Sequence, residues 1–314
     1  MYSDLQSKLI STNKCHWRTA PSTCSTYSGK WKTFKKHWDK HHIKWCLPEY
    51  THDGYDHTKF IKLWEDGSNL ISPLCLQSAI KNQSEQNEII VVVDGFYELN
   101  KTVLEKYQDK INVLDLGENQ GLSVATNWGV YNATNDYILV VNDDNVFPKD
   151  WDIQLKKDLN KGVVLSPNQI EPNPSMFQQF IIKDLGHNVG GFNLETFTKE
   201  EIDLRQDKID QTGSTLPFAM YREDYLAVGG WDIMYPSPHV VDWDFFLKCE
   251  YWNLKMLRTY KCNFYHFAGA ATRKTPEQSI ESTRKEQNAH LFFQNKWKQP
   301  AQHNQLTNSK KLTK

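Results

Sequence analysis

Apolar positions along this chain follow two periods, and the switches between them divide it into short elements. Residues 88–93 run Glu88-Ile89-Ile90-Val91-Val92-Val93 and stop at Asp94-Gly95. A half-exposed strand would alternate apolar with polar, so an unbroken β-branched run reads as a strand buried on both faces of a sheet. Residues 137–141 repeat the pattern with Tyr137-Ile138-Leu139-Val140-Val141 and end at Asn142-Asp143-Asp144-Asn145. Between these runs the spacing predicts a helix over 101–110, a strand over 111–116 and a helix over 121–131. Upstream it predicts a short strand over 59–64 and an amphipathic helix over 72–81, opened by Ser72-Pro73. Strands alternating with helices predict an α/β fold. Open α/β sheets bind ligands beyond the carboxyl ends of their strands, so Asp94 and the Asp143-Asp144 pair are expected to face one crevice.

The second half is less regular. Strands are expected over 162–166, 215–221 and 262–266, and helices over 224–228 and 242–252. Residues 167–174, rich in Pro and Asn, read as a loop, and the polar stretch 188–210 suits a mobile flap. The first 57 residues form an N-terminal extension, with Trp17, Trp31, Trp38 and Trp45 at no clean period. Residues 299–314 form a polar, lysine-tipped tail.

The bulk properties narrow the field. With 37 basic and 38 acidic residues the formal net charge is −1, so no global field favours nucleic acid or an anionic membrane. No apolar run approaches the roughly 18–20 residues of a spanning helix, and the N-terminus lacks the parts of a signal peptide; the expected setting is cytoplasmic, with peripheral membrane contact still open. The six cysteines show no C-x-x-C pair and read as reduced thiols. Helical spacing of His37 with His41 and of His42 with Cys46 would allow a zinc site with Cys15 or Cys24. The irregular, lysine-rich surroundings favour a packed or solvated extension instead.

Consecutive carboxylates at the end of a buried strand repel each other where water is scarce, and Asp143-Asp144 has no lysine or arginine immediately beside it. A divalent cation with hard oxygen ligands, Mg²⁺ or Mn²⁺, would offset them and bring a diphosphate with it. An acidic turn that merely caps the loop is the competing reading.

At this point the residues resemble a known family. Asn119-Gln120-Gly121-Leu122, then Ala125, Asn127 and Gly129, then Tyr137 through Asp144 resemble the N-x-G…A-x-N-x-G…DxD stretch of glycosyltransferase family 2 and its GT-A relatives. Gly229-Gly230-Trp231-Asp232 followed by Asp242-Trp243-Asp244-Phe245 resembles that family's G-G-[FW]-D…E-D-x-D-[LF] segment. The similarity spans roughly residues 60–273. It implies a GT-A, Rossmann-like domain over 58–298 with a mixed, mainly parallel central sheet flanked by helices; 58–150 would bind the nucleotide-sugar and 151–298 the acceptor.

The resemblance also implies roles. Asp94 would bond the nucleotide base, Asp144 would bind the metal, and Asp143 would contact ribose or metal. Asn119 and the helix opening at Gly121 would face the donor, unless the glycine serves only close packing. Asp242 would be the general base, with Asp244 in reserve or holding its helix. His266 would complete the metal or diphosphate site, or act as a structural donor, and Arg273 would pair a phosphate. Trp231 and Asp232 would lie near the acceptor, unless Trp231 packs beneath its turn. Asn142 and Val241 depart from the pattern, where aspartate and glutamate are usual.

The implied activity is metal-dependent, inverting transfer of a sugar from a nucleotide diphosphate to a hydroxyl on a glycan or glycoconjugate. The two departures keep a catalytically silent nucleotide- or carbohydrate-binding protein as the alternative. A sugar nucleotidyltransferase ranks lower, because Trp64-Glu65-Asp66-Gly67 stands where its Gly-rich basic loop belongs. The basic, aromatic N-terminus is weak ground for a nucleic-acid partner.

Overall fold

The computed structural model describes residues 71–95, 97–175, 177–267 and 276–301. The strand expected at 59–64, the N-terminal extension, Arg273 and nearly all of the tail lie outside these residues.

Helix α1 (Ile71–Asn82) leads into β1 (Ile90–Val93), α2 (Tyr97–Lys106), β2 (Asn112–Asp115), α3 (Leu122–Asn132) and β3 (Tyr137–Val140). These elements match the expected order within a few residues. Strands β1 and β2 pair in parallel, Val93 opposite Asp115. β3 follows in the expected βαβαβ chain order and pairs antiparallel with β8 (Phe218–Tyr221) in a second, seven-stranded sheet. That sheet runs β3-β8-β5-β9-β4, where β4 is Asn145–Val146, β5 Val163–Glu171 and β9 Lys255–His266. β5 lies parallel to β9 and antiparallel to β8, so the central sheet is mixed, as expected. Two short strands flank it, β6 (Ile181–Ile182) on β5 and β7 (Ile209–Asp210) on β9.

Period-2 alternation puts the sheet between two apolar layers. On one face Val164, Phe218 and Met220 meet α6 (Arg222–Val228), α7 (Val241–Tyr251) and α8 (Pro276–Trp297) through Tyr225, Phe245, Phe246, Ala289 and Phe293. On the other face Val163, Leu165, Ala219 and Phe264 pack on Ala79 of α1 and on Trp151 and Leu155 of α4 (Trp151–Lys156).

Three segments differ from expectation. The loop expected at 167–174 is strand as far as Glu171, buried along its whole length. Its polar side chains find partners across the sheet: Ser166 Oγ donates to Thr215 O at 2.9 Å, and Asn168 Nδ2 to Asn263 Oδ1 at 3.2 Å. Pro167 sits where the register against β9 shifts, a position that tolerates a missing N–H. The flap expected at 188–210 contains α5 (Leu194–Leu204), capped by Asn193 Oδ1, which accepts from Thr196 N at 2.9 Å. Its Phe197 and Glu201 are fully buried, four residues apart on one face. Lastly, α8 has no counterpart in the expected elements. Ala289 and Phe293 bury its inner side, while Ile280 and Leu291 are exposed, which blurs the helical stripe.

No helix among the described residues is long and apolar enough to cross a membrane. Cys75, Cys249 and Cys262 are free thiols.

Candidate functional site

Three strands end together. Asn145 of β4 faces His266 across the antiparallel pair, Ile170 of β5 faces Tyr265 across the parallel one, and Phe267 N donates to Asp144 O at 3.2 Å. This register brings Asp144, Glu171 and His266 side by side. His266 Nε2 lies 3.3 Å from Asp144 Oδ2, and its Nδ1 lies 2.8 Å from Glu171 Oε1. The Asp144 side chain is 20% exposed, His266 24% and Glu171 7%, so the cluster opens to solvent on the Asp144 side. Burial disfavours the imidazolium, but the two carboxylates outweigh it and push His266 up to about 10.

The donor chemistry fits a divalent cation. Carboxylate oxygen and imidazole nitrogen are ligands for Mn²⁺, and for Mg²⁺ the carboxylate alone serves, with substrate oxygens and water completing the shell. Among the described residues no group of three or more His, Cys, Asp and Glu is arranged to hold a metal, so Asp144 and His266 would form a two-ligand platform and not a cage. Asp143 is exposed beside them. The thiol of Cys75 donates a weak bond to the carbonyl of Asn142 at 3.8 Å; burial and the charges of Asp143 and Asp144 hold its pKa well above the usual value, so it stays protonated. Neither Glu171 nor Cys75 was foreseen. Glu171 had a readable signal, being an acidic residue at a strand's carboxyl end, but the surrounding Pro and Asn hid the strand.

Asp94 and the loop after β2 form a second group. Asp94 Oδ1 accepts from Gln120 N at 2.6 Å and Oδ2 from Gly121 N at 2.9 Å. Burial raises the Asp94 pKa despite these two bonds. The expectation that the N–H of Gly121 faces a donor is corrected here, because Asp94 already occupies it. Asn119 is exposed, and its backbone lies against Gly95, where a Cβ would stand 2.9 Å from Asn119 N; with φ at 85°, Gly95 must be glycine.

The third group surrounds the Gly229-Gly230 turn. Trp231 is fully buried and packs at 6.5 Å from Phe245, so it presents no face to an acceptor, and the reading of it as an acceptor-contacting ring is corrected. Asp244 is fully buried too. Its Oδ1 accepts from Tyr235 OH at 3.1 Å and Trp297 Nε1 at 2.7 Å and pairs with Lys296 Nζ at 2.6 Å. Those partners make Asp244 a tie between α7 and α8 and remove it as a reserve base. Asp232 pairs with Lys296 at 2.7 Å. Burial raises the Asp232 pKa, but Lys296 and Lys248 outweigh it and leave it lowered.

Asp242 differs from both neighbours. It lies in the first turn of α7, partly exposed. Burial pushes its pKa up to about 6, the N–H of Trp243 only partly offsetting this. A carboxylate of that pKa can both accept a proton near neutrality and release it.

Residues 73–229 match the model of a family described as Glycosyl transferase family 2. The match takes in Asp94, Asn119, Gly121, Asp143 and Asp144 and ends before Trp231, Asp242 and His266. No curated protein matches the chain. Among solved structures, TarS 1–349 of S. aureus is 14% identical over 74% of this chain and 69% of its own, with a TM-score of 0.46. A structure of GalNAc-T7 with UDP, GalNAc and Mn²⁺ is 16% identical over 61% of this chain, with a TM-score of 0.45; the match spans 40% of that chain. Mannosyltransferase PcManGT from Pyrobaculum calidifontis, in complex with GDP-Man and Mn²⁺, is 12% identical over 94% of this chain and 81% of its own, with a TM-score of 0.43. Scores this low add no weight, and the family rests on the matched segment.

Proposed function

This chain belongs to glycosyl transferase family 2, and from that membership we propose that it moves a sugar from a nucleoside diphosphate to an acceptor hydroxyl with inversion, using a divalent cation at Asp144 and His266 and Asp242 as base. The observation that carries the reading is the 3.3 Å approach of Asp144 Oδ2 to His266 Nε2 at the joined ends of β4 and β9. A carboxylate and an imidazole brought together beside a second exposed carboxylate, Asp143, are suited to a cation and a diphosphate.

Asp144 and His266 would hold the cation on the side of the donor's diphosphate, and Asp143 would reach ribose or metal. When bound there, a divalent cation would supply charge neutralisation to the diphosphate leaving group, an effect worth several kcal/mol. Asp94 fixes the 119–121 loop, whose exposed Asn119 borders the nucleotide, and contacts the base through whatever capacity its carboxylate retains. Asp242 takes the proton of the acceptor hydroxyl as the oxygen attacks the anomeric carbon. Asp232, tied to Lys296, lines the acceptor side. The acceptor is a glycan or glycoconjugate hydroxyl.

The test is calorimetric titration of UDP, dTDP and GDP, with and without Mn²⁺, on the wild type and Asp144→Ala. One nucleotide should bind with a requirement for both Mn²⁺ and Asp144. Metal-independent binding, or none, would sink the reading and leave a silent binding protein in front.

A further inference from the structure

Of the three side chains at the joined strand ends, Glu171 is the one that the cation reading leaves without a role. It is the last residue of β5 and its backbone is fixed from outside, since Lys183 N donates to Glu171 O at 2.9 Å and β6 pairs alongside. Its carboxylate is nearly buried and points at the far side of the imidazole, 2.8 Å from Nδ1, while Nε2 faces Asp144.

We propose that Glu171 is a positioning residue that selects the tautomer and aim of His266, presenting the Nε2 lone pair to a cation held with Asp144. A carboxylate only accepts, so the hydrogen between Glu171 and His266 belongs to Nδ1. With Nδ1 keeping its hydrogen against Glu171, Nε2 is the ring nitrogen left to a cation, and it is the atom that faces Asp144. The same contact fixes the plane of the ring and raises the basicity of the coordinating nitrogen, as outer carboxylates do for metal-bound histidines elsewhere. Glu171 touches neither substrate nor cation and acts only through His266. The inference rests on the cation reading above and assigns a determinant of metal affinity that the family match does not specify.

Mn²⁺ binding to the full chain, followed by electron paramagnetic resonance with UDP and then GDP present, tests it on the wild type, Glu171→Gln, Glu171→Leu and Asp144→Ala. Glu171→Leu keeps the volume and removes the acceptor, so it should weaken Mn²⁺ by about 10- to 100-fold. Glu171→Gln keeps an acceptor oxygen and loses the charge; it should weaken Mn²⁺ several-fold and still fold, which lets it decide the question if the leucine variant does not. The far-UV circular dichroism spectrum should be unchanged in both. A lowered Tm with wild-type Mn²⁺ affinity would mean that Glu171 is structural only, and would overturn the proposal while leaving the cation reading intact. No Mn²⁺ binding by the wild type, or full binding by Asp144→Ala, would defeat the cation reading itself and this inference with it.

Discussion

Asn127 grips Trp231 with both ends of its amide: Nδ2 donates to the Trp231 carbonyl at 2.9 Å, and Oδ1 accepts the Trp231 N–H at 2.8 Å. The same Oδ1 accepts from Tyr225 OH at 2.7 Å. Asn127 belongs to α3 and Trp231 to the turn after α6, so one side chain joins two segments about a hundred residues apart in sequence. The joint also explains Gly230: at φ 65° its Cβ would stand 2.5 Å from Asn127 Oδ1.

Removing the amide strands three buried polar groups, the N–H and C=O of Trp231 and the Tyr225 hydroxyl. An unsatisfied buried group costs about 1–3 kcal/mol, and partial relaxation keeps the total below the sum. Asn127→Ala should therefore lose about 2–4 kcal/mol in urea unfolding at unchanged m-value. A loss under half a kcal/mol would mean that water replaces the amide.

This joint bears on what could be read from sequence. The short strands 90–93 and 137–140 were legible from their unbroken apolar runs, although only Val93 and Ile138 are buried and the other residues are half-buried, short of the expected burial on both faces. Asp94, Asp143 and Asp144 were legible as residues that follow such runs. The partners were not. That β3 pairs with β8 instead of extending the β1–β2 pair is a tertiary choice, carried by contacts such as Ile138 with Met220. Glu171 was hidden because β5 buries Ser166, Asn168 and Gln169 against side chains distant in sequence, and a turn-forming composition then reads as a loop. Trp231 and Asp244 carried family-like spacing, yet spacing does not report burial, and burial is what separates Asp244 from Asp242.

Asp242 sets a pH dependence. As a base it must be ionised, so with its pKa pushed up to about 6 the transfer rate should fall as pH drops through about 6. Asp242→Asn should lower kcat by about 10²- to 10⁴-fold and remove that limb of the profile. Stability moves the other way. The folded pKa lies above the unfolded value, so the folded state holds the extra proton between the two, and stability is lost as pH rises from about 4 to about 6. Asp242→Asn should thus be more stable than the wild type above pH 6, by about 1–2 kcal/mol after allowance for partial exposure, with no gain near pH 3. Thermal unfolding at both pH values checks the sign.

Lys296 tests the tie between α8 and the turn. Burial alone would lower its pKa, but Asp232 and Asp244 outweigh burial and raise it. Lys296→Ala leaves two carboxylates facing Lys248, which is 3.7 Å from Asp244 and is itself lowered by burial. Breaking one partner of a buried pair costs about 3–5 kcal/mol, so a loss near the lower figure is expected, with Lys248 compensating in part. The Asp232→Asn, Asp244→Asn double variant should recover part of the loss in the Lys296→Ala background, as measured by chemical denaturation.

Asp94 separates two ways of serving a nucleotide. Its carboxylate binds the N–H groups of Gln120 and Gly121, so in Asp94→Asn one amide NH₂ must face a backbone N–H that points at it. Two opposed donors cost about 1–3 kcal/mol and should loosen the 119–121 loop. If Asp94 serves the nucleotide by holding this loop, Asp94→Asn weakens UDP, dTDP and GDP by similar factors. If the carboxylate also reads the base, the variant loses most affinity for the nucleotide that the wild type prefers. Titration of the three diphosphates on both proteins decides between them, because a loop effect is blind to the base and a direct hydrogen bond is not.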